Sequence, residues 1–313
     1  MSPVAQTQTQ SRSVVSYETT WGSIELLIRE KIAQNIRDPL TIVNSIEKTM
    51  ISRHNKMNVN SLVRKIFQMS RDDFPDGFYR LGVLGEKYVP MPHTIVDDSL
   101  IDTVVQQISD NTDYVIELGG GYGRQMIRVI RSLSDGHSGL GFCVGEPSQK
   151  GRRCIGLLNS LLDEERNIRA FYFDYLEPDF SFIEKRKNVV FFTSSSIEQV
   201  KFVGGKVFDL MLEATDSCTC IHMEPVGFQR SERLVARAAH GKLPSLDKKL
   251  RFKDKYLNYN AARYSQTANY NLDLLSVLNN LESQGRIKKS VARYNCFGYS
   301  SFTPLTLLVW QKV

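Results

Sequence analysis

Residues 114–124 read Tyr114-Val115-Ile116-Glu117-Leu118-Gly119-Gly120-Gly121-Tyr122-Gly123-Arg124, and this stretch decides the fold. A short apolar run ends in an acid, passes through a glycine-rich turn and enters helical spacing over 124–133. Glycines at a strand-to-helix junction let the backbone approach a ligand and turn the first helical N–H groups toward it. As a dinucleotide fingerprint, G-x-G-x-x-G, the run fails, because Arg124 stands where the last glycine is required. As E-x-G-x-G-x-G it fits at Glu117, Gly119, Gly121 and Gly123.

Outward from this turn, apolar β-rich runs at 140–144, 169–173, 189–193 and 218–223 follow the one at 114–118, with enough chain between them for crossover helices. The unbroken hydrophobicity of Val189-Val190-Phe191-Phe192 predicts a parallel sheet covered on both faces. A helix is predicted over 271–284, with Leu272, Leu275, Leu278 and Leu281 on one side and Gly285 as its stop. The last two strands, 286–294 and 305–311, are joined by a connection too short for a crossover helix, which predicts an antiparallel hairpin. Acids recur at successive strand ends: Glu146 lies 29 residues after Glu117, and Asp174, followed by Tyr175, lies 28 residues further on.

With these residues in place the chain resembles the class I S-adenosylmethionine-dependent methyltransferases, over about residues 96–313. The resemblance implies an α/β fold with a seven-stranded, mostly parallel Rossmann-like sheet and an antiparallel last strand. It implies S-adenosyl-L-methionine as cofactor, cradled by Glu117, Gly119, Gly121 and Gly123. Glu146, with Pro147 beside it, would accept both ribose hydroxyls, Asp174 or Tyr175 would read the adenine, and Ser194 and Ser195 would face the cofactor from the fourth strand end. A carboxylate suits the ribose because it accepts two hydrogen bonds side by side.

The methyl acceptor is expected at the fourth and fifth strand ends, 194–199 and 222–227. A hydroxyl acceptor benefits from a base with a pKa near neutrality, which favours His222, with Glu198 or Glu224 to orient it. An amine or guanidine acceptor would use the two carboxylates instead. Each residue also has a structural reading: His222 as a satisfied core histidine, Glu224 as a strand-exit residue before proline, Glu198 as an acid favoured at a helix start. The surroundings of these two strand ends look loosely like those of sugar O-methyltransferases. The expected product is thus a methylated hydroxyl on a sugar or natural product, with N-methylation of an amino acid or guanidine-bearing metabolite as the second choice.

Composition sets the frame. Of 313 residues, 42% are hydrophobic and 24% charged, the balance of an ordinary globular chain. No apolar run is long enough for a membrane helix, and neither a secretory leader nor zinc-ligand spacing is visible, so a reduced, cytoplasmic chain without a metal is expected. The net charge is +6, and residues 230–255 alone hold nine basic against three acidic residues. That segment lies in an insertion at about 228–270, rich in Tyr and Asn toward its end, and suits an anionic acceptor or a solvated loop better than nucleic acid, whose binders spread charge over a face. RNA binding or RNA methylation through 230–255 is the alternative of another class. Residues 1–95 are expected to be a disordered dozen followed by helices, with a third helix near 62–69. This region would cap the active site or pair two subunits as a homodimer, and the loop from Phe78 to His93 would help to cover the cofactor.

Overall fold

The computed structural model describes residues 3–54, 79–92, 95–133, 139–183, 187–246, 253–298, 300 and 302–313. Two strands, β1 (Tyr79–Leu84) and β2 (Lys87–Pro92), form an antiparallel hairpin. Gly85 and Glu86 at its tip both have positive φ, 55° and 67°, as a two-residue turn matched to strand twist requires. Seven more strands build the main sheet: β3 (Tyr114–Leu118), β4 (Gly141–Gly145), β5 (Ile168–Phe171), β6 (Asn188–Ser194), β7 (Ser217–Glu224), β8 (Ile287–Phe297) and β9 (Leu305–Lys312). Their spatial order is β5-β4-β3-β6-β7-β9-β8. The pairs from β5 to β7 are parallel, and β9 runs antiparallel to both β7 and β8. This is the seven-stranded, mostly parallel sheet with a reversed last strand that the sequence predicts.

Alternate residues of the central strands feed two cores, which is why their hydrophobicity is continuous. On one face Val115, Val144, Val190, Phe192 and Met223 pack with helices α1 (Pro3–Ala33) and α2 (Pro39–His54) through Ile24, Ile28, Ile42 and Ile46. The opposite face takes Ile116, Phe191, Cys220 and Trp310, covered by Phe208, Leu274 and Leu278 from the helices Lys206–Ala214 and Leu274–Ser283. Each fully buried aliphatic contributes about 2 kcal/mol, so α1 and α2 are held by their apolar stripes as an integral part of the first core. Polar contacts fix their angle. Arg124, the residue that breaks the dinucleotide fingerprint, bonds Asp97 at 3.1 Å and also Glu47 of α2, and Glu47 takes Arg128 as well.

Several local expectations change. The first residues are helical from Pro3 onward rather than disordered, and the 79–92 hairpin interrupts the stretch expected to be all helical. The expected helix at 62–69, together with Phe78 and His93, lies outside the described residues. Strand β5 ends at Phe171, and Phe173 turns into the second core. The helix expected from 271 begins at Leu274, because the Asn271 side-chain oxygen caps it by accepting the N–H groups of Asp273 and Leu274. The basic insertion folds into helices Glu232–Ala239 and Leu257–Ala268 around a small core of Phe228, Ala238, Leu243, Ala261 and Leu272. Among the described residues no helix is long and apolar enough to cross a membrane.

Candidate functional site

The three acids singled out by spacing lie at neighbouring strand ends on one edge. Glu117 is near the end of β3, opposite Val144 of β4 and Phe192 of β6. Leaving β3, the chain turns through Gly119 and Gly121 at φ 73° and 60°, and Gly123 at φ 81° opens the helix Arg124–Ser132. A side chain at Gly119 would stand 2.6 Å from the Ser196 Cβ, so only glycine allows the β6 loop to close on this turn. Glu117 is buried and accepts the Met126 N–H at 3.2 Å; burial nevertheless lifts its carboxyl to about 8. Glu146, just past β4, accepts the N–H groups of Gly121 at 2.9 Å and Ser148 at 3.0 Å, and burial lifts it to about 7. Pro147 is half-buried, and its carbonyl accepts from Arg152.

Helix α1 lies over this turn. The Trp21 ring rests on Gly121, where an added Cβ would meet it at 2.9 Å. Tyr17 stacks on Trp21 at 6.0 Å, and Tyr122 flanks it from below at 5.8 Å. The indole N–H is directed toward Glu146 and helps to hold that carboxyl down, yet it is buried without reaching hydrogen-bond geometry. Glu18 latches the helix in place by accepting from the Ser148 hydroxyl at 2.9 Å and the Gln149 N–H at 2.6 Å. The Tyr17 hydroxyl is pushed up by burial and by the negative charges of Glu198 and Glu146.

Beside the turn, the Tyr175 hydroxyl donates to the Leu118 carbonyl at 2.8 Å and meets Ser196 Oγ at 2.7 Å. Tyr175 is therefore a buried brace under the turn. Asp174 is half-exposed and accepts the Leu176 N–H. Of the two serines expected to face a ligand, Ser194 is half-buried and Ser195 exposed, whereas Ser196, one place further, is the one packed against Gly119.

The residues expected to act on the acceptor divide. His222 is corrected to a core residue: it is buried, its Nε2 accepts the Trp310 indole N–H at 3.0 Å, and its Nδ1 faces Thr193 Oγ1 at 3.0 Å. An indole only donates, so the ring proton is on Nδ1 and both nitrogens are occupied. Burial pushes the ring down to about 3, far from the range of a base at neutral pH. Glu224 is corrected likewise. Fully buried, it accepts the N–H groups of Ser196, Ile197 and Glu198 at 3.1–3.3 Å, bonds the Thr193 hydroxyl, and thereby anchors the β6 loop. Glu198 alone keeps a free acceptor. It sits in a short 3-10 turn, Ile197–Gln199, rather than at a helix start. One oxygen accepts from Gln199, while the other is buried without a partner. Burial and the Glu224 charge raise its pKa well above the ordinary carboxylate range, which the nearby Gln199 and Tyr270 side chains partly offset.

Sequence reasoning missed Tyr17, Trp21 and Ser196, and saw Tyr270 only as part of a polar aromatic stretch. No protein-family model and no curated protein matches the chain. Among solved structures, the magnesium protoporphyrin IX methyltransferase of Synechocystis PCC 6803 with bound SAH is similar at 11% identity, covering 71% of this chain and 84% of its own, with a TM-score of 0.44. Geranyl diphosphate methyltransferase in complex with GPP and sinefungin follows at 10% identity, 71% and 77% coverage and a TM-score of 0.43. An O-methyltransferase from Bacillus cereus in complex with SAH is 11% identical over 70% of this chain and 80% of its own, at 0.41.

Two outcomes follow. His222→Ala should cost about 3 kcal/mol in chemical denaturation, from the cavity and from the Trp310 N–H left without its acceptor. The pH dependence of stability should have two limbs. Below pH 6.5 the unfolded His222 takes up a proton that the folded ring refuses until about pH 3, so stability falls with acid. Between pH 4.5 and about 8 the folded Glu117 holds a proton that the unfolded chain releases, so stability falls as pH rises. Glu146 and Glu224, raised to about 7, add to the second limb, so Glu117→Gln should make it shallower, most of all near pH 8, and leave the first unchanged.

Proposed function

We propose that the chain is an S-adenosyl-L-methionine-dependent methyltransferase acting on a hydroxyl of a small molecule, a sugar or natural product. The observation that carries this reading is the convergence of the glycine turn, Glu146 and Glu198 on one sheet edge. They meet where the strand order reverses between β3 and β6, the crevice in which open α/β sheets bind ligands. The residues suit a nucleoside bearing an amino acid: a turn closed to all but glycine at the start of a helix, and an acid at the β4 end able to grip a diol. Trp21 and the Gly121 N–H hold Glu146 instead, so entry requires the first part of α1 to lift.

The bound cofactor would supply an activated methyl carbon with a good leaving group, which leaves alignment and proton handling to the protein. Glu198 fits the second task. One of its oxygens is buried without a partner, and its raised proton affinity moves a carboxylate toward the strength an alcohol proton requires. Glu198 would take the proton of the acceptor hydroxyl as the hydroxyl oxygen is methylated. N-methylation is disfavoured because Glu224, the second carboxylate it would use, already holds three backbone N–H groups. RNA binding loses support because two arginines of 230–255 make local contacts: Arg230 pairs with Glu86 and stacks on Tyr294, and Arg237 bonds the Lys242 carbonyl. The burial of Ile24, Ile28, Ile42 and Ile46 inside this chain's own core favours the cap over subunit pairing.

Calorimetry with S-adenosylhomocysteine tests the reading, and wild-type protein that fails to bind it would refute it. Trp21→Ala should bind it on the order of tenfold more tightly, because the open state is no longer rationed by the helix. A tenfold loss would instead make Trp21 a cofactor contact. Glu198→Gln should lower kcat about 100-fold or more while S-adenosylhomocysteine affinity stays within about threefold.

A further inference from the structure

We infer that the cavity bounded by Ser245, Asn260, Arg263, Tyr264 and Phe302 seats an anionic group, a carboxylate or phosphate, carried by the methyl acceptor, with Arg263 as the clamp. Its role as an acceptor subsite rests on the methyltransferase reading; its affinity for an anion does not.

The cavity holds about 230 Å³, room for one charged group and part of a small ring but not for a polymer. Arg263 projects from the helix Leu257–Ala268. Its Nη2 donates to Ser245 Oγ at 2.6 Å, while its Nε is buried with no partner, and no carboxylate among the described residues pairs with it. A buried guanidinium edge left without an acceptor is costly, and the usual remedy is a carboxylate, which this site lacks. The fork of a guanidinium matches the two oxygens of a carboxylate or phosphate. The wall is built rather than incidental. The 243–246 segment is pinned to the helix by Gln266, whose side chain accepts the Leu243 N–H at 2.9 Å, and by the Tyr259 hydroxyl, which donates to the Pro244 carbonyl at 2.8 Å. Ala261 and Ala262, on the same helix, are buried in the small insertion core.

Placement ties the cavity to the reacting edge. Strand β9 enters beside β7 with Thr306 opposite Glu224, so Phe302, just before β9, stands at the β7 end. Tyr264 stacks on Phe302 at 5.9 Å with the rings 16° apart, and its ring centre is 5.6 Å from Tyr270, whose hydroxyl is close enough to Glu198 for each to shift the other's pKa. Glu198, Tyr270, Tyr264 and Arg263 thus form a path from the free carboxyl oxygen to the guanidinium, with aromatic surface between for the body of the acceptor. The surplus of positive charge that the sequence places in this insertion acquires a specific end in Arg263, which lies outside the basic run itself.

Titration calorimetry of the full chain with phenyl phosphate, benzoate and phenol, each with and without S-adenosylhomocysteine, tests the inference. Either or both anions should bind saturably and phenol should not, and whichever binds more tightly identifies the group. Arg263→Gln should weaken anion binding about tenfold or more, Arg263→Lys should fall between, and Arg237→Gln should match wild type. Equal anion affinity in Arg263→Gln, phenol binding as well as the anions, or no saturable anion binding would each overturn it. If S-adenosylhomocysteine fails to bind while an anion still requires Arg263, the methyltransferase reading falls and the anion site stands; the opposite pair of results separates them the other way.

Discussion

The backbone amides of Ser196, Ile197 and Glu198 converge on the carboxylate of Glu224, and this contact shapes the edge of the sheet. It bends the chain after β6 so that Ser196 falls against Gly119 and Glu198 is buried with one oxygen unpartnered. Behind Glu224 the hydroxyl of Thr193, the ring of His222 and the indole of Trp310 continue the hydrogen bonding into the second core. A buried polar chain of this kind is stabilising only when each member is satisfied, and it then fixes one geometry. The position of the Glu198 loop is therefore tied, through Glu224, Thr193 and His222, to the Trp310 indole.

The same edge concentrates buried acids. Glu117, Glu146, Glu198 and Glu224 all have their carboxyls raised, chiefly by burial and partly by one another. A crowd of carboxylates disfavours further negative charge and favours a cation among them. Under the proposed function this field attracts a positively charged sulfonium and loses its hold once methyl transfer leaves a neutral thioether, so product leaves more readily than substrate. Arg263 stands at the far end of the aromatic path, where an anionic group is remote from these acids.

How much of this was legible in the sequence depended on the distance over which each feature is specified. Glu117, the glycines and Glu146 were legible because one turn and one strand repeat define them. The reversed last strand followed from the short connection before 305. His222 was misplaced because strand alternation puts Ile221 and Met223 in one core and His222 in the other, and its partner Trp310 lies 88 residues away. Glu224 looked available because the sequence does not show that the loop after β6 folds back onto it. Trp21 and Tyr17 escaped notice because α1 meets the glycine turn across about a hundred residues of chain, and its apolar stripe gives no hint that the residues just before it face a crevice.

That stripe also limits how the site can open. The buried anchors of α1 begin at Ile24 and continue at Ile28, locked against α2 and the sheet. Lifting the whole helix would expose them, at a cost of several kcal/mol. The residues over the crevice, Tyr17, Glu18 and Trp21, all precede Ile24, and they are held by the Trp21–Tyr122 ring contact, the Cys154 thiol on the Trp21 carbonyl and two hydrogen bonds from Glu18 to the start of the helix Gln149–Asn159. Opening therefore needs only the part of α1 before Ile24 to swing, with the remainder as a fixed hinge post. Glu18 is the natural release point, since the Ser148 hydroxyl and Gln149 N–H it holds can turn to water once it leaves.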